Sequence, residues 1–121
     1  MSVSFFRYVP LSIHAGLETI AAPMIMAGPV LLGLDQAAIL AGFLLGATLL
    51  GLSLSLFSER RAIPLTAHAG FDYMLALAAV LFGLAIGVAT GDAAATVFLV
   101  GVGVAQTALT ASTRFSSVRG V

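Results

Sequence analysis

Hydrophobic residues run along this chain in four long stretches, separated by short segments of turn-forming or charged residues. The stretches extend from about Leu11 to Gly33, Gln36 to Phe57, Leu65 to Val88 and Ala93 to Thr113. A helix rises about 1.5 Å per residue, so about 20 residues cross a hydrocarbon core about 30 Å thick. The pattern therefore predicts an all-α membrane protein, with four transmembrane helices in one transmembrane domain covering residues 1–121.

Composition strengthens this prediction. Hydrophobic residues make up 60% of the 121 residues, charged residues only 8%, and the mean hydropathy is +1.14. A water-soluble domain of this size cannot bury so much apolar surface, so we expect the lipid bilayer to be the chain's main partner. Five cationic residues balance five acids, which gives no general basic face and argues against nucleic acid. The lack of Cys excludes disulfides and thiolate metal sites.

Charge also predicts the topology. Arginine occurs only before the first stretch, between the second and third, and after the fourth: Arg7, Arg60, Arg61, Arg114 and Arg119. The two remaining loops carry Asp35 and Asp92. By the positive-inside rule both termini are cytoplasmic, and we expect a multi-pass protein of the prokaryotic cytoplasmic (inner) membrane. Aromatic residues cluster at the same ends, as interfacial side chains do: Phe5, Phe6, Tyr8, Phe57 and Phe115.

The chain contains an internal repeat. The segment from Pro10 to Glu18, PLSIHAGLE, matches PLTAHAGFD from Pro64 to Asp72 position for position. We therefore divide the chain into repeat 1, about residues 10–58, and repeat 2, about residues 64–115, each a helical hairpin. Because each unit contains two crossings, the copies are parallel repeats, and equivalent residues lie at the same depth.

Late in the first stretch, the segment Gly28-Pro29-Val30-Leu31-Leu32-Gly33-Leu34 combines a Pro with a following Leu-Gly-apolar rhythm. In this segment and in its tandem hairpins, from Pro10 to about Arg114, the chain resembles the SPW-repeat family of small bacterial and archaeal membrane proteins. That family is named for a Ser-Pro-Trp motif late in the first helix of its repeat, of which this segment has the Pro. The second copy, Phe82-Gly83-Leu84, lacks the motif. The resemblance implies tandem two-helix hairpins and no established activity.

Each repeat carries a His and an acid four residues apart near the start of its first helix, His14 with Glu18 and His68 with Asp72. This spacing places each pair on one helix face, and the parallel repeat places both pairs at one depth. Ionisable groups inside membrane spans mark functional sites by default. The quartet fits a metal site of His14, Glu18, His68 and Asp72, a tetrapyrrole site with His14 and His68 as axial ligands, or a proton or cation path. Pairing that only locks the helices together is favoured over each of these functional interpretations.

Other polar and small residues are interpreted as packing features. The GxxxG spacings of Gly42 with Gly46 and Gly83 with Gly87 predict close helix approach. Pro23 and Pro29 are expected to kink the first helix. Three polar residues of the fourth stretch are expected to bond between helices: Gln106, Thr107 and Thr110.

Three functional classes remain open on this evidence. The first is an accessory, scaffold or interaction subunit, supported by the lack of any stretch long enough for a soluble domain. The others are a small transporter or proton path, and a metal- or tetrapyrrole-binding protein that uses the His and acid pairs. Enzymatic activity is less favoured, because no nucleophile with a base and no phosphate-binding loop accompanies the quartet. A homo-oligomer or a place in a larger membrane complex is expected, because four helices make a thin bundle.

Overall fold

The computed structural model of the protein describes residues 7–57 and 63–115. These residues form four helices and no β-strand: α1 (Leu11–Leu31), α2 (Gln36–Ser55), α3 (Leu65–Thr90) and α4 (Ala93–Ser112). The predicted helix number is confirmed, and every helix begins at the predicted residue. The ends differ slightly, because α1 and α2 stop two residues earlier than expected and α3 continues two residues further.

Three of the helices, α2, α3 and α4, are long and apolar enough to cross a membrane. The remaining helix, α1, is of similar length but less apolar, because it contains His14, Glu18 and two prolines. The all-helical, membrane-type bundle is thus confirmed, whereas the crossing by α1 and the cytoplasmic termini stay predictions. Several topological residues lie outside the described part of the chain: Phe5, Phe6, Arg60, Arg61 and Arg119.

The bundle carries many large apolar side chains on its outside, and its core combines small residues with a set of leucines. Val88 is 89% exposed and Leu31 is 82% exposed, and many other Leu, Val and Met side chains also point outward. The buried core contains several alanines with almost no exposure: Ala22, Ala38, Ala79 and Ala95. An exposed apolar surface this extensive is unfavourable in water and suits a lipid solvent.

The two hairpins end in similar turns. Gly33 and Gly91 adopt φ values of +66° and +74°, in the left-handed region that favours glycine. Asp35 and Asp92 then serve as N-caps, accepting hydrogen bonds from the backbone N–H groups of Ala37 and Ala95. Both turns lie in the short turn-forming segments that separate the hydrophobic stretches in the sequence, Gly33-Leu34-Asp35 and Thr90-Gly91-Asp92.

Asp92 also joins the two turns to each other. Its Oδ2 accepts a hydrogen bond of 2.8 Å from the backbone N–H of Asp35. This bond and the one from Ala95 stabilise the ionised carboxylate and hold the pKa of Asp92 below its ordinary value. The hairpins are therefore tied together by a charged group at the end of the bundle remote from the His and acid pairs.

Helices pack most closely within each hairpin, α1 against α2 and α3 against α4. Glycines make this approach possible: a methyl group at Gly42 would lie 2.9 Å from the Ile25 carbonyl oxygen, and one at Gly46 would lie 2.7 Å from that of Ala22. In the second hairpin Gly83 faces Leu99 and Gly87 faces Thr96. The packing role predicted for both GxxxG spacings is confirmed.

Between hairpins, α2 packs against α3, while α1 and α4 approach each other less closely. The helices α1 and α3 consequently lie diagonally across the bundle, and their backbones make little contact. The sequence predicts that the His and acid pairs line the interface between the first and third helices, and their side chains do meet between these two helices, at the centre of the bundle. Pro23 and Pro29 lie inside α1, which is helical on both sides of each; the predicted kink stays a prediction.

We predict that Gly103→Ala destabilises the bundle, whereas Gly101→Ala does not. A methyl group at Gly103 would lie 2.6 Å from both the Ala76 carbonyl oxygen and the Val80 side chain, but nothing lies within 4 Å of one at Gly101. Overpacking of this kind costs about 1–3 kcal/mol. Unfolding by SDS titration in mixed micelles measures both variants, and equal stabilities would contradict the close packing of α3 against α4.

Candidate functional site

The two His and acid pairs meet in the centre of the bundle. His14, Glu18, His68 and Asp72 are each 0% exposed. Each residue offers one potential ligand atom, and these four atoms all lie within 4.8 Å of one another. The convergence expected from the repeat is thus present in the structure.

Each imidazole faces both carboxylates. His14 Nε2 lies 2.9 Å from Glu18 Oε2 and 3.0 Å from Asp72 Oδ2. His68 Nε2 lies 3.1 Å from Asp72 Oδ2 and 3.4 Å from Glu18 Oε1. The contacts within each repeat are therefore matched by contacts between repeats, and the four groups form one cluster.

Equivalent starts of α1 and α3 create this geometry. Pro10 and Pro64 are the N-caps of the two helices, with ψ of 151° in both. The backbone N–H groups of His14 and His68 donate to the carbonyl oxygens of these prolines at 3.0 and 2.9 Å. Each imidazole thus lies one turn into its helix, and the acid four residues later lies one turn deeper on the same face.

The hydroxyl of Thr113, just after α4, fixes the orientation of His14. It donates its single hydrogen to the Leu109 carbonyl oxygen at 2.6 Å. The same oxygen lies 2.7 Å from His14 Nδ1 and is left to accept a hydrogen bond from it. Nδ1 of His14 therefore carries a hydrogen. The Nε2 atom of this ring lies at hydrogen-bonding distance from Asp72 Oδ2, 3.0 Å, so without a cation Nε2 carries a hydrogen as well and donates it to this carboxylate.

Gln106 supports the cluster from α4. Its Nε2 donates to Glu18 Oε2 at 2.6 Å, and its longer contact with Thr110 Oγ1 is 3.4 Å. The predicted bond between helices is confirmed for Gln106. It is wrong for Thr107, which donates to the Gly103 carbonyl oxygen in its own helix, and for Thr110, whose contact is also within α4. Hydroxyl groups in helices commonly bond back to their own backbone in this way.

Several polar atoms of the cluster lack hydrogen-bond partners among the described residues: Glu18 Oε1, His68 Nδ1, His68 Nε2 and Asp72 Oδ1. The Nε2 atom of His68 is near two carboxylate oxygens, yet neither contact has the geometry of a hydrogen bond. Neither carboxylate forms an ion pair with an Arg of the described segments. Buried polar groups without partners are costly, so such a set indicates a site that binds something.

Phe115 covers the cluster at the end of the bundle where α1 and α3 begin. Its ring centroid lies 5.1 Å from that of His14 and 6.0 Å from that of His68. Next to it, the backbone of Val9 donates to the Ser112 carbonyl oxygen and accepts from the N–H of Arg114. We expected an interfacial position for Phe115, and the structure adds that its ring shields both imidazoles from that end.

Chemically, the cluster suits a metal ion better than a tetrapyrrole. Two nitrogen and two oxygen ligands are a donor set for Zn²⁺, Mn²⁺ or Fe²⁺. Axial ligation of a tetrapyrrole by His14 and His68 needs an open slot between the two rings. The centroids of these rings are 5.9 Å apart, and the carboxylates of Glu18 and Asp72 fill the space between them.

Sequence reasoning found the four central residues but missed Thr113, which was placed only at the end of the fourth stretch. A Thr at a helix end is common and indicates nothing by itself. The one available signal was depth, because Thr113 lies at the same predicted membrane face as His14. Depth alone does not show which face of α4 points inward.

We predict that Phe115→Ala increases the accessibility of the imidazoles, because the ring is the described group that covers both. The rate of histidine modification by diethyl pyrocarbonate, followed by mass spectrometry, should rise severalfold. Phe57→Ala is the matched control, since Phe57 lies at the same end of the bundle but is 59% exposed. Equal rates in the two variants would show that Phe115 does not shield the site.

Comparison with known proteins gives no evidence for function, so the His and acid cluster is the main evidence. The chain matches no protein-family model, no curated protein and no solved structure. The resemblance to the SPW-repeat family therefore stays a prediction based on the segment around Pro29.

Proposed function

We propose that this protein is a membrane protein that binds one divalent transition-metal ion through His14, Glu18, His68 and Asp72. The observation that carries the proposal is the convergence of four fully buried ligand atoms within 4.8 Å of one another. Zn²⁺, Mn²⁺ and Fe²⁺ all accept such ligands. The ion would lie at the centre of the bundle, one to two turns from the end where α1 begins.

The distances support a shared metal ion. Bonds of about 2.0–2.2 Å in a tetrahedral arrangement place neighbouring ligand atoms about 3.3–3.6 Å apart. The four contacts between imidazole nitrogens and carboxylate oxygens, from 2.9 to 3.4 Å, lie at or a little below this range, so a small outward movement of the side chains would admit an ion. The Nε2 atom of His14 would direct its lone pair to an ion at the same point once the ion displaces its hydrogen, because Nδ1 keeps its own hydrogen on Thr113. A ligating His generally has such a partner on its second nitrogen.

Charge supports the same choice. Ionised Glu18 and Asp72 bring two negative charges into a region from which water is excluded, and uncompensated charge there is expensive. A divalent cation neutralises both carboxylates while neutral imidazoles complete the ligand set. Simple structural pairing also compensates charge, but it does not account for the unpartnered Nε2 of His68.

The membrane placement forms part of this proposal. We place α1 across the bilayer beside α2, α3 and α4, with both termini in the cytoplasm of a prokaryotic cell and the metal site near the cytoplasmic face. The positions of Arg7 and Arg114 at the same end of the bundle support this orientation. Assembly as a homo-oligomer, the accessory-subunit role and a transport role stay predictions from the sequence.

Labelling tests the topology directly, because the natural chain has no Cys. A Gln36→Cys variant should react with a membrane-impermeant maleimide in intact cells, since Gln36 is exposed and follows the turn after α1. A Tyr8→Cys variant should react only after lysis. Labelling of both variants in intact cells would contradict the crossing by α1, and the reverse pattern would invert the orientation.

Metal analysis tests the site. We expect purified wild-type protein in detergent to bind one Co²⁺ or Zn²⁺ ion per chain in calorimetric titration. The double variant Glu18→Gln, Asp72→Asn keeps the shape of both side chains but removes their charges. Its affinity should fall by more than about 100-fold, because loss of a supporting group alone costs about 10–100-fold.

Asp35→Asn is the matched control, since this carboxylate lies in the turn between α1 and α2, far from the site, and should leave metal affinity unchanged. Size-exclusion chromatography and circular dichroism establish that each variant is folded. A folded wild-type protein that binds no metal, or a double variant that binds as tightly, would overturn the proposal.

A further inference from the structure

The two ligand pairs of the site are held differently, and the difference lies in α4 and the residue that follows it. We propose that Thr113 and Gln106 are positioning residues that preorganise His14 and Glu18, whereas His68 and Asp72 are adaptable ligands brought into place by the ion itself. This inference rests on the proposed metal site and deepens it, since it assigns unequal roles to pairs that look identical in sequence.

The first pair has a partner for each side chain. Thr113 accepts a hydrogen bond of 2.7 Å from His14 Nδ1 and donates its own hydroxyl hydrogen in a bond to the Leu109 carbonyl oxygen. Gln106 donates to Glu18 Oε2 at 2.6 Å. Thr113 and Gln106 are 0% and 8% exposed, so water does not compete strongly for these bonds. The imidazole and the carboxylate are thus oriented without any help from an ion.

The second pair has no equivalent support among the described residues. His68 Nδ1 and Asp72 Oδ1 have no hydrogen-bond partner there, although both residues are 0% exposed. The reason is visible in repeat 1. Counted from the N-cap Asp residues of α2 and α4, the positions equivalent to Gln106 and Thr113 are Leu49 and Leu56.

Both leucines are buried, at 4% and 7% exposure, and neither can form a hydrogen bond. The second hairpin therefore supplies the first pair with polar partners, but the equivalent positions of the first hairpin are apolar and offer none. A ligand without a partner on its outer side turns more freely, because nothing but packing restricts it. The chemistry of the ion then sets the final orientation of His68 and Asp72.

The variant Thr113→Val tests this inference, because valine keeps the size of threonine and removes the hydroxyl, which accepts from His14 and donates to the Leu109 carbonyl oxygen. We expect Co²⁺ affinity to fall about 10–100-fold, the usual effect of losing a group that orients a ligand. Thr113→Ser should restore it. Thr107→Val is the matched control, since Thr107 also donates to a carbonyl oxygen four residues earlier in α4 but does not contact the cluster.

A second measurement separates positioning from stability. Nitrogen and proton NMR of the metal-free protein should show a hydrogen-bonded Nδ1–H of His14 in wild type and in Thr113→Ser, and loss of that hydrogen bond in Thr113→Val, because valine offers no acceptor. Unchanged affinity and an unchanged Nδ1–H signal in folded Thr113→Val would overturn the inference while leaving the metal site intact. If the wild-type protein binds no Co²⁺, the proposed function itself fails, so the two failures are distinguishable.

Discussion

The burial of two imidazoles and two carboxylates at one point governs this bundle. Each of these groups is fully removed from solvent, and polar groups in such surroundings must find partners or lose stability. The requirement fixes several features at once: both helices must start alike, both pairs must lie at one depth, and α1 and α3 must face each other across the centre. Alanines and glycines where the helices pack allow the helices to come close enough for the imidazoles and carboxylates to meet.

The internal repeat places equivalent residues at one depth in the bundle, and the differences between the two copies determine how each His and acid pair is held. Two parallel copies of the hairpin bring like residues to one level without any further design, which explains why His14 and His68 both contact Glu18 and Asp72. The second helices of the two repeats differ in polarity at two equivalent positions. Gln106 and Thr113 of repeat 2 are polar, and their counterparts Leu49 and Leu56 are not.

Much of this arrangement could be predicted from the sequence, because the relevant signals are local or periodic. Helix starts follow from Pro10 and Pro64, hairpin turns from Gly33 and Gly91, and the meeting of the two pairs from a repeat that fixes depth. What could not be predicted depends on helix rotation. Whether Thr113 or Thr107 points inward depends on how α4 is rotated about its own axis, and the spacing of residues in the sequence does not reveal that rotation. The diagonal relation of α1 and α3 has the same origin, since the hairpins could be placed side by side in more than one way.

The seam between α1 and α4 shows how polar bonds and packing divide the work of holding the hairpins together. These helices approach each other less closely than the other neighbouring pairs, and an apolar groove of about 700 Å³ runs between them, lined by Leu17, Met24, Phe98 and Gln106. The bonds of Thr113 with His14 and of Gln106 with Glu18 cross this same seam, as do the backbone bonds of Val9. Because α1 and α4 pack less closely than the helices within each hairpin, hydrogen bonds contribute more to holding them together. The groups that orient the site therefore also join the two repeats along this seam, in addition to the packing of α2 against α3 and the bond between Asp35 and Asp92.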